Sequence, residues 1–291
     1  MNILNTIGNT PLVKIERISR NPKVNIFAKL EGFNPTGSIK DRIALAMVEK
    51  AEREGLLTKD KTIIEATSGN TGIALAMIGA VKGYKVKVVM PESMSIERRK
   101  VIKSFGAEII LVKDEEWRDA AITFTKGLAE KDSSLVMLNQ YENEANIIIH
   151  YNTTGKEIIE QMEKPDVFIA GIGTGGTITG IGKRLKKEYP SIKIIGAEVR
   201  PGSKIQGLKS LKEGYVPPVL DMGIIEEKIL IEDEDAFRTT RELAEKEGVF
   251  VGPSSGAVMY IALKESENME EGNIAVIFPD RGEKYLSIDL F

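Results

Sequence analysis

The chain has no cysteine and only one histidine, His150, in its 291 residues. Without cysteine, disulfides, thiolate zinc sites and cysteine nucleophiles are excluded. One histidine cannot build a histidine-rich metal centre. It also leaves His150, in a polar stretch without a nucleophile elbow, as the only histidine a Ser-His-Asp triad could use. Charge of one sign is lacking too: 40 basic and 43 acidic residues, interspersed, give a net charge of −3. Nothing in that balance makes a patch for nucleic acid or a membrane surface. The start, MNILNTIGNTPL, shows no basic n-region followed by an apolar h-region, so no signal peptide is expected. The longest apolar stretches, 73–81 and 86–90, are far too short to span a membrane. A soluble, cytoplasmic protein is expected, with no nucleic-acid or membrane partner and no metal. Any difficult chemistry then falls to a cofactor, or to lysine and carboxylates.

What is present is a 42% hydrophobic chain, enough for one large domain or two modest ones. Strand-like runs at 24–30, 62–66, 85–90, 108–112, 136–138, 166–170, 193–198 and 274–278 alternate with helical runs. The helical runs cover 38–54, 71–82, 95–105, 117–131, 154–163, 177–187, 236–247 and 257–264. This alternation predicts an α/β fold of two lobes with largely parallel, twisted sheets flanked by helices. Ligands of such sheets gather at strand C-termini, here in the cleft between the lobes. Residues 203–220, with Pro217-Pro218 and no periodicity, predict a loop over the site.

Four small-residue turns open helices. In NPTGSIKDR, Ser38 and Asp41 form a capping-box pattern that places Lys40 in the first helical turn. The dipole there disfavours a cation, which depresses a lysine pKa and makes a better nucleophile. By itself the segment fits a solvated lysine beside a cap equally well. In IEATSGNTG, a strand runs into hydroxyl and amide residues, Thr67, Ser68, Asn70 and Thr71, whose free N–H groups suit a carboxylate; an ordinary cap is the plainer reading. In GIGTGGT, Gly173, Thr174, Gly175, Gly176 and Thr177 let the backbone approach a phosphate. The same turn fits G-x-G-x-x-G through Gly171, Gly173 and Gly176, with Glu198 ending the next strand, so a nicotinamide-dependent dehydrogenase is an alternative. That alternative leaves the other three turns without a task. In GVFVGPSSGA, Ser254 or Ser255 precedes a helix and alone reads as a plain N-cap.

Taken in order, NPTGSIKDR, EATSGNTGIALAMIGA, GTGGTITG and EGVFVGPSSGA resemble the fold type II pyridoxal 5′-phosphate (PLP) enzymes, the tryptophan synthase β-like fold. Within them the chain is most similar to the O-acetylserine sulfhydrylase (cysteine synthase) family, and MPESMSIERR and DRGEKYLS are most like its B-type branch. The resemblance implies a larger PLP-phosphate-binding domain of 1–34 with 146–291, and a smaller domain of 35–145. It implies that Lys40 holds PLP as a Schiff base and removes the substrate α-proton. Gly173 to Thr177 would cradle the phosphate, Asn70 meet the ring hydroxyl oxygen and Ser254 the pyridine nitrogen. A serine there, unlike a carboxylate, does not keep the ring nitrogen protonated, which favours expelling a β-leaving group.

The substrate carboxylate would meet Thr67, Ser68, Gly69, Thr71 and Gln140, with Tyr141 as a pocket wall; His150 matches a position near the family's active-site mouth, but an ordinary structural histidine is the plainer reading. The implied reaction converts O-acetyl-L-serine and sulfide to L-cysteine and acetate, in a homodimer. Lys209 stands where O-phosphoserine-using relatives carry arginine, so O-phosphoserine is an alternative donor. Cystathionine β-synthase shares the core motifs, but no cysteine can ligate haem and no appended regulatory domain is expected. A non-catalytic PLP-binding protein is the non-enzymatic alternative. The resemblance does not determine the sulfur donor or any association with serine acetyltransferase.

Overall fold

The computed structural model describes residues 1–67, 69–92, 95–113, 119–214, 216–287 and 290–291. Ser68, expected at the substrate carboxylate, and the first residues of the helix expected over 117–131 lie outside them.

Two sheets organise the chain. The larger has six strands in the order β1 (Leu12–Ile15), β2 (Val24–Leu30), β10 (Gly272–Phe278), β7 (Val167–Gly171), β8 (Lys193–Val199) and β9 (Glu227–Ile231). Only β1 runs antiparallel to its neighbour; the other pairings are parallel. The smaller sheet is all parallel, in the order β5 (Glu108–Val112), β4 (Lys85–Pro91), β3 (Thr62–Ala66) and β6 (Leu135–Met137). Parallel strands need helical crossovers that cover both faces, which is why β3, β7 and β10 are nearly continuous apolar runs.

The smaller sheet is flanked by α1 (Lys40–Arg53), α2 (Asn70–Lys82), α3 (Ile96–Ser104) and α4 (Asp119–Lys131). α2 is apolar almost all round, and every residue from Thr71 to Gly79 is buried. The larger sheet packs against α7 (Gly176–Glu188), α8 (Asp233–Glu247) and α9 (Pro253–Asn268).

Three elements differ from the expectation. β1 and β9 are short edge strands whose lysines and glutamates conceal their pairing. The helix expected from residue 154 begins at Ala145: α5 (Ala145–Ile149) passes through a π turn (His150–Thr154) into α6 (Gly155–Gln161). Three isoleucines and an Asn-Thr-Thr run carry weak local helix preference, and tertiary burial overrides it. Asn146, His150 and Thr154, spaced by four, are all fully buried on one face. No helix among the described residues is long and apolar enough to cross a membrane.

Candidate active site

The chain leaving β10 is the hub that brings the helix-opening turns together. Ile39 N–H donates to the Pro279 carbonyl at 2.8 Å, and Ser38 pairs with Asp280 in a lone antiparallel bridge. On the other side Gly252 N–H donates to the Asp280 carbonyl at 3.3 Å, and Val251 pairs with Arg281. The starts of α1 and α9 are thereby tied to one strand end.

The capping box expected at Ser38 and Asp41 does not form. Ser38 is held in the bridge two residues before the helix, and Ile39 takes the cap position without a side-chain bond. The Asp41 carboxylate instead accepts from the Thr36 N–H at 2.7 Å and from the Thr36 hydroxyl. Burial pushes its pKa up to about 6 against those bonds.

Lys40, Asn70, Gly173, Thr174, Gly175, Thr177 and Ser254 line one cleft, with Gly207, Leu208 and Asp280. Lys40 opens α1 as expected. Burial lowers its pKa to about 8, opposed by the Asp280 carboxylate. The glycine-rich turn leaves β7 and enters α7, whose first N–H groups have no upstream carbonyl to bond. Gly175 has φ +93°, and a Cβ there would lie 2.5 Å from the Leu220 Cβ. A Cβ on Gly173 would lie 2.6 Å from the Gly207 carbonyl oxygen. The loop expected over the site at 203–220 therefore meets this turn through Gly207 and Leu220, and only glycine lets both backbones pass.

The turn from β3 into α2 is tied by side-chain bonds on either side of Ser68. Thr67 Oγ1 accepts from Gly69 N–H at 3.2 Å, and Thr71 Oγ1 donates to Gln140 Oε1 at 2.7 Å. Beneath it, Glu65 accepts from the Asn139 and Gln140 N–H groups at 2.9 and 3.1 Å. Burial outweighs those bonds and raises its pKa to about 7. Asn146 Nδ2 donates to the Gln140 carbonyl at 2.8 Å and to Thr174 Oγ1 at 3.1 Å, joining this turn to the glycine-rich one. His150 is fully buried, bonded to Thr154 Oγ1 at 3.0 Å and Thr177 Oγ1 at 3.2 Å. Desolvation, with Arg42 and Lys40 nearby, holds its pKa well below the usual histidine range, so it stays neutral. Lys209 is not among the residues lining the cleft. Its ammonium lies 6.0 Å from the Tyr141 ring centroid, while its N–H donates to the Ile172 carbonyl at 2.8 Å.

Sequence reasoning missed two groups of residues. Asn70 Nδ2 donates to Asp280 Oδ2 at 2.7 Å, Lys284 donates to Asn70 Oδ1 at 2.9 Å, and Tyr285 donates to Asp280 Oδ2 at 2.6 Å. Asp280, Lys284 and Tyr285 sit in DRGEKYLS, read from sequence only as a branch resemblance. The second group anchors α1. Arg42 pairs with Glu31 at 2.7 Å and Glu157 at 2.6 Å, and Lys29 pairs with Glu157 at 2.7 Å, all deep in the protein. Burial alone would lower the Arg42 pKa, but the two carboxylates raise it above the ordinary arginine value.

The donor set suits a phosphorylated pyridine aldehyde. A buried amine stands at one side, a glycine cradle of neutral N–H groups at another, and polar side chains lie between. Asp280 Oδ1 and Ser255 Oγ are buried beside them without a hydrogen-bond partner. The fold and this site define a pyridoxal-phosphate-dependent enzyme: residues 3–280 match the family of that description, and the chain belongs to it.

The chain is 43% identical over 300 residues to a cysteine synthase of Staphylococcus aureus, covering 100% of this chain and 96% of that protein. Among solved structures, an O-ureido-L-serine synthase superposes with TM-score 0.95 at 38% identity, covering 99% of this chain and 94% of that one. A hydrogen sulfide-producing enzyme from Fusobacterium nucleatum superposes with TM-score 0.93 at 45% identity, covering 98% and 99%. The dehydrogenase alternative is displaced. Glu198 is buried and occupied, accepting from Leu211 N–H at 2.9 Å and from Lys228 at 3.3 Å.

Proposed function

We propose that the protein makes L-cysteine and acetate from O-acetyl-L-serine and sulfide by β-replacement. The observation that carries this reading is the convergence of Lys40 with the three other helix-opening turns on one cleft, in a chain 43% identical to a cysteine synthase over its full length.

Lys40 would hold the cofactor covalently through its amine. The N–H groups of Gly173 to Thr177 would hold its phosphate, with the Thr177 hydroxyl oriented by neutral His150. Asn70 would donate to the ring oxygen, and the Ser254 hydroxyl would meet the pyridine nitrogen. When bound, pyridoxal phosphate supplies an electron sink for the substrate's α-carbon. Thr67, Ser68, Gly69 and Thr71 hold the substrate carboxylate at the start of α2, where the helix dipole favours an anion. Gln140, fixed by Thr71 and by the N–H bonds to Glu65, closes that side. Lys40, once freed from the cofactor by the substrate's amine, would take the α-proton and return one to product. The loop around Gly207 and Leu208 covers the cleft and keeps water from competing with the sulfur nucleophile. We assign Lys209 to the leaving-group side of the same loop. The two lobes are taken as 1–34 with 146–291, and 35–145, in a cytoplasmic homodimer.

The test is an activity matrix on purified protein. O-acetylserine, O-phosphoserine and serine are each offered with sulfide, thiosulfate and homocysteine. O-acetylserine with sulfide should give the highest kcat/KM, and Lys40→Ala should lower it by at least about 10²-fold. A higher value for O-phosphoserine, falling on Lys209→Ala, would instead establish the phosphorylated donor. Turnover of serine with homocysteine above all other pairs would replace the reading altogether.

A further inference from the structure

The side-chain amide of Asn70 is held between opposite charges. The Lys284 ammonium donates to its Oδ1 at 2.9 Å, and its Nδ2 donates to the Asp280 carboxylate at 2.7 Å. An ammonium cannot bond the NH₂ end of an amide, nor a carboxylate the oxygen end, so the two charges fix which way the amide points. One N–H of Nδ2 then remains, on a residue that lines the cleft.

Lys284 belongs to the single turn Gly282–Tyr285 and is half-buried. Asp41 reaches its surroundings from α1, Asp280 and Glu283 from its own segment, and Arg98 from α3 is the opposing cation. Burial lowers its pKa to about 8, while Asp280 and Asp41 draw it back up, so it is mostly charged at neutral pH. Gly37, in the turn before α1, packs against it: a Cβ there would lie 3.6 Å from Lys284 Cε.

We propose that Lys284 is a positioning residue for the cofactor, acting through Asn70 to put positive charge behind the hydrogen bond given to the ring oxygen and so keep that oxygen anionic. This rests on the assignment of Asn70 to the ring oxygen made above. An ammonium on the amide oxygen draws electron density from the nitrogen, which makes the remaining N–H a stronger donor. Asp280, at the other end, fixes the amide but pushes density the opposite way. Lys284 therefore carries the part of the effect that Asp280 cannot.

The test compares Lys284→Met and Lys284→Arg holoproteins with wild type by absorbance, and by titration of each apoprotein with pyridoxal phosphate. Lys284→Met should keep the covalently bound cofactor. Its visible band should lose intensity to the near-ultraviolet, because a protonated ring oxygen shortens the conjugation. Its Kd for the cofactor should rise about tenfold, the loss of one charge-assisted contact. Lys284→Arg should restore both. A Lys284→Met protein with wild-type spectrum and Kd overturns the proposal, as does an arginine variant as displaced as the methionine one. If the methionine variant does not fold, Lys284→Gln, a neutral donor of similar reach, must show the same spectral change. Asn70→Ala separates the two levels: an unchanged spectrum there, with attachment still lost in Lys40→Ala, removes the Asn70 assignment itself.

Discussion

Lys40 departs furthest from ordinary chemistry among the cleft residues, because it is a buried amine with one nearby carboxylate as its main support. With its pKa at about 8, it is mostly protonated at pH 7 and mostly neutral at pH 9. Only the neutral amine attacks an aldehyde, so capture of pyridoxal phosphate by apoprotein should speed up as pH rises through about 8 and level off above it. Following the visible band at a fixed cofactor concentration across pH 6.5–9.5 checks this; a rate still climbing as steeply between pH 9 and 9.5 would place the pKa near that of a free lysine. Lys40 and Ser254 were legible as helix-start residues because that signal is local, a small-residue turn; their roles came only with the family resemblance. Lys284 was not: it meets Asn70 across 214 residues of chain, and nothing in a lysine's neighbours announces such a partner.

At the level of elements, two devices position the site and both can be broken singly. Gly175 sits at φ +93° against Leu220, so Gly175→Ala combines left-handed backbone strain with a clash. It should cost about 1–3 kcal/mol in stability. By pushing loop and cradle apart, it should also weaken cofactor binding more than it lowers the melting temperature. Calorimetry and a cofactor titration on the same sample distinguish the two effects. α1 is pinned by Arg42, the centre of the buried cluster with Glu31, Glu157 and Lys29. Arg42→Met leaves buried Glu31 without its cation and Glu157 with Lys29 alone, and should destabilise by about 3–5 kcal/mol in urea unfolding. A variant within about 0.5 kcal/mol of wild type, the scatter of a surface change, would show that the cluster contributes little net stability. The helix at Lys40–Arg53 was visible in the sequence within a residue or two at each end, whereas its anchor was not. Arg42 reads locally as one more charged residue after Lys40, and its partner Glu157 lies 115 positions away.

For the whole molecule, that cluster sets a pH window. Burial alone would raise the Glu157 carboxyl, but Arg42 and Lys29 overcome it and hold the pKa at about 2. A depressed carboxylate pKa gives stability that is present above its unfolded value near 4.3 and is lost as pH falls towards 2. Up to about 3 kcal/mol should disappear over that range. Unfolding curves of wild type and Glu157→Gln at pH 6 and pH 3 test it: the stability gap should narrow at the lower pH, and a constant gap would exclude titration of this group.

The sequence by itself determined the α/β class, the parallel sheets, the four helix-opening turns and, through their order, the cofactor class. The first three follow from periodicity and turn chemistry within a few neighbouring residues, which one chain displays directly; the cofactor class came from the family resemblance that the order of the turns carries. The tertiary structure decided what joins them. The chain leaving β10 ties the starts of α1 and α9, Gly207 and Leu220 close on the glycine cradle, and Asn70 is held between Lys284 and Asp280. It also overruled the capping box at Ser38, because the bridge to Asp280 takes that residue out of the cap. Contacts between distant segments form only when the sheets assemble, and no local propensity encodes them.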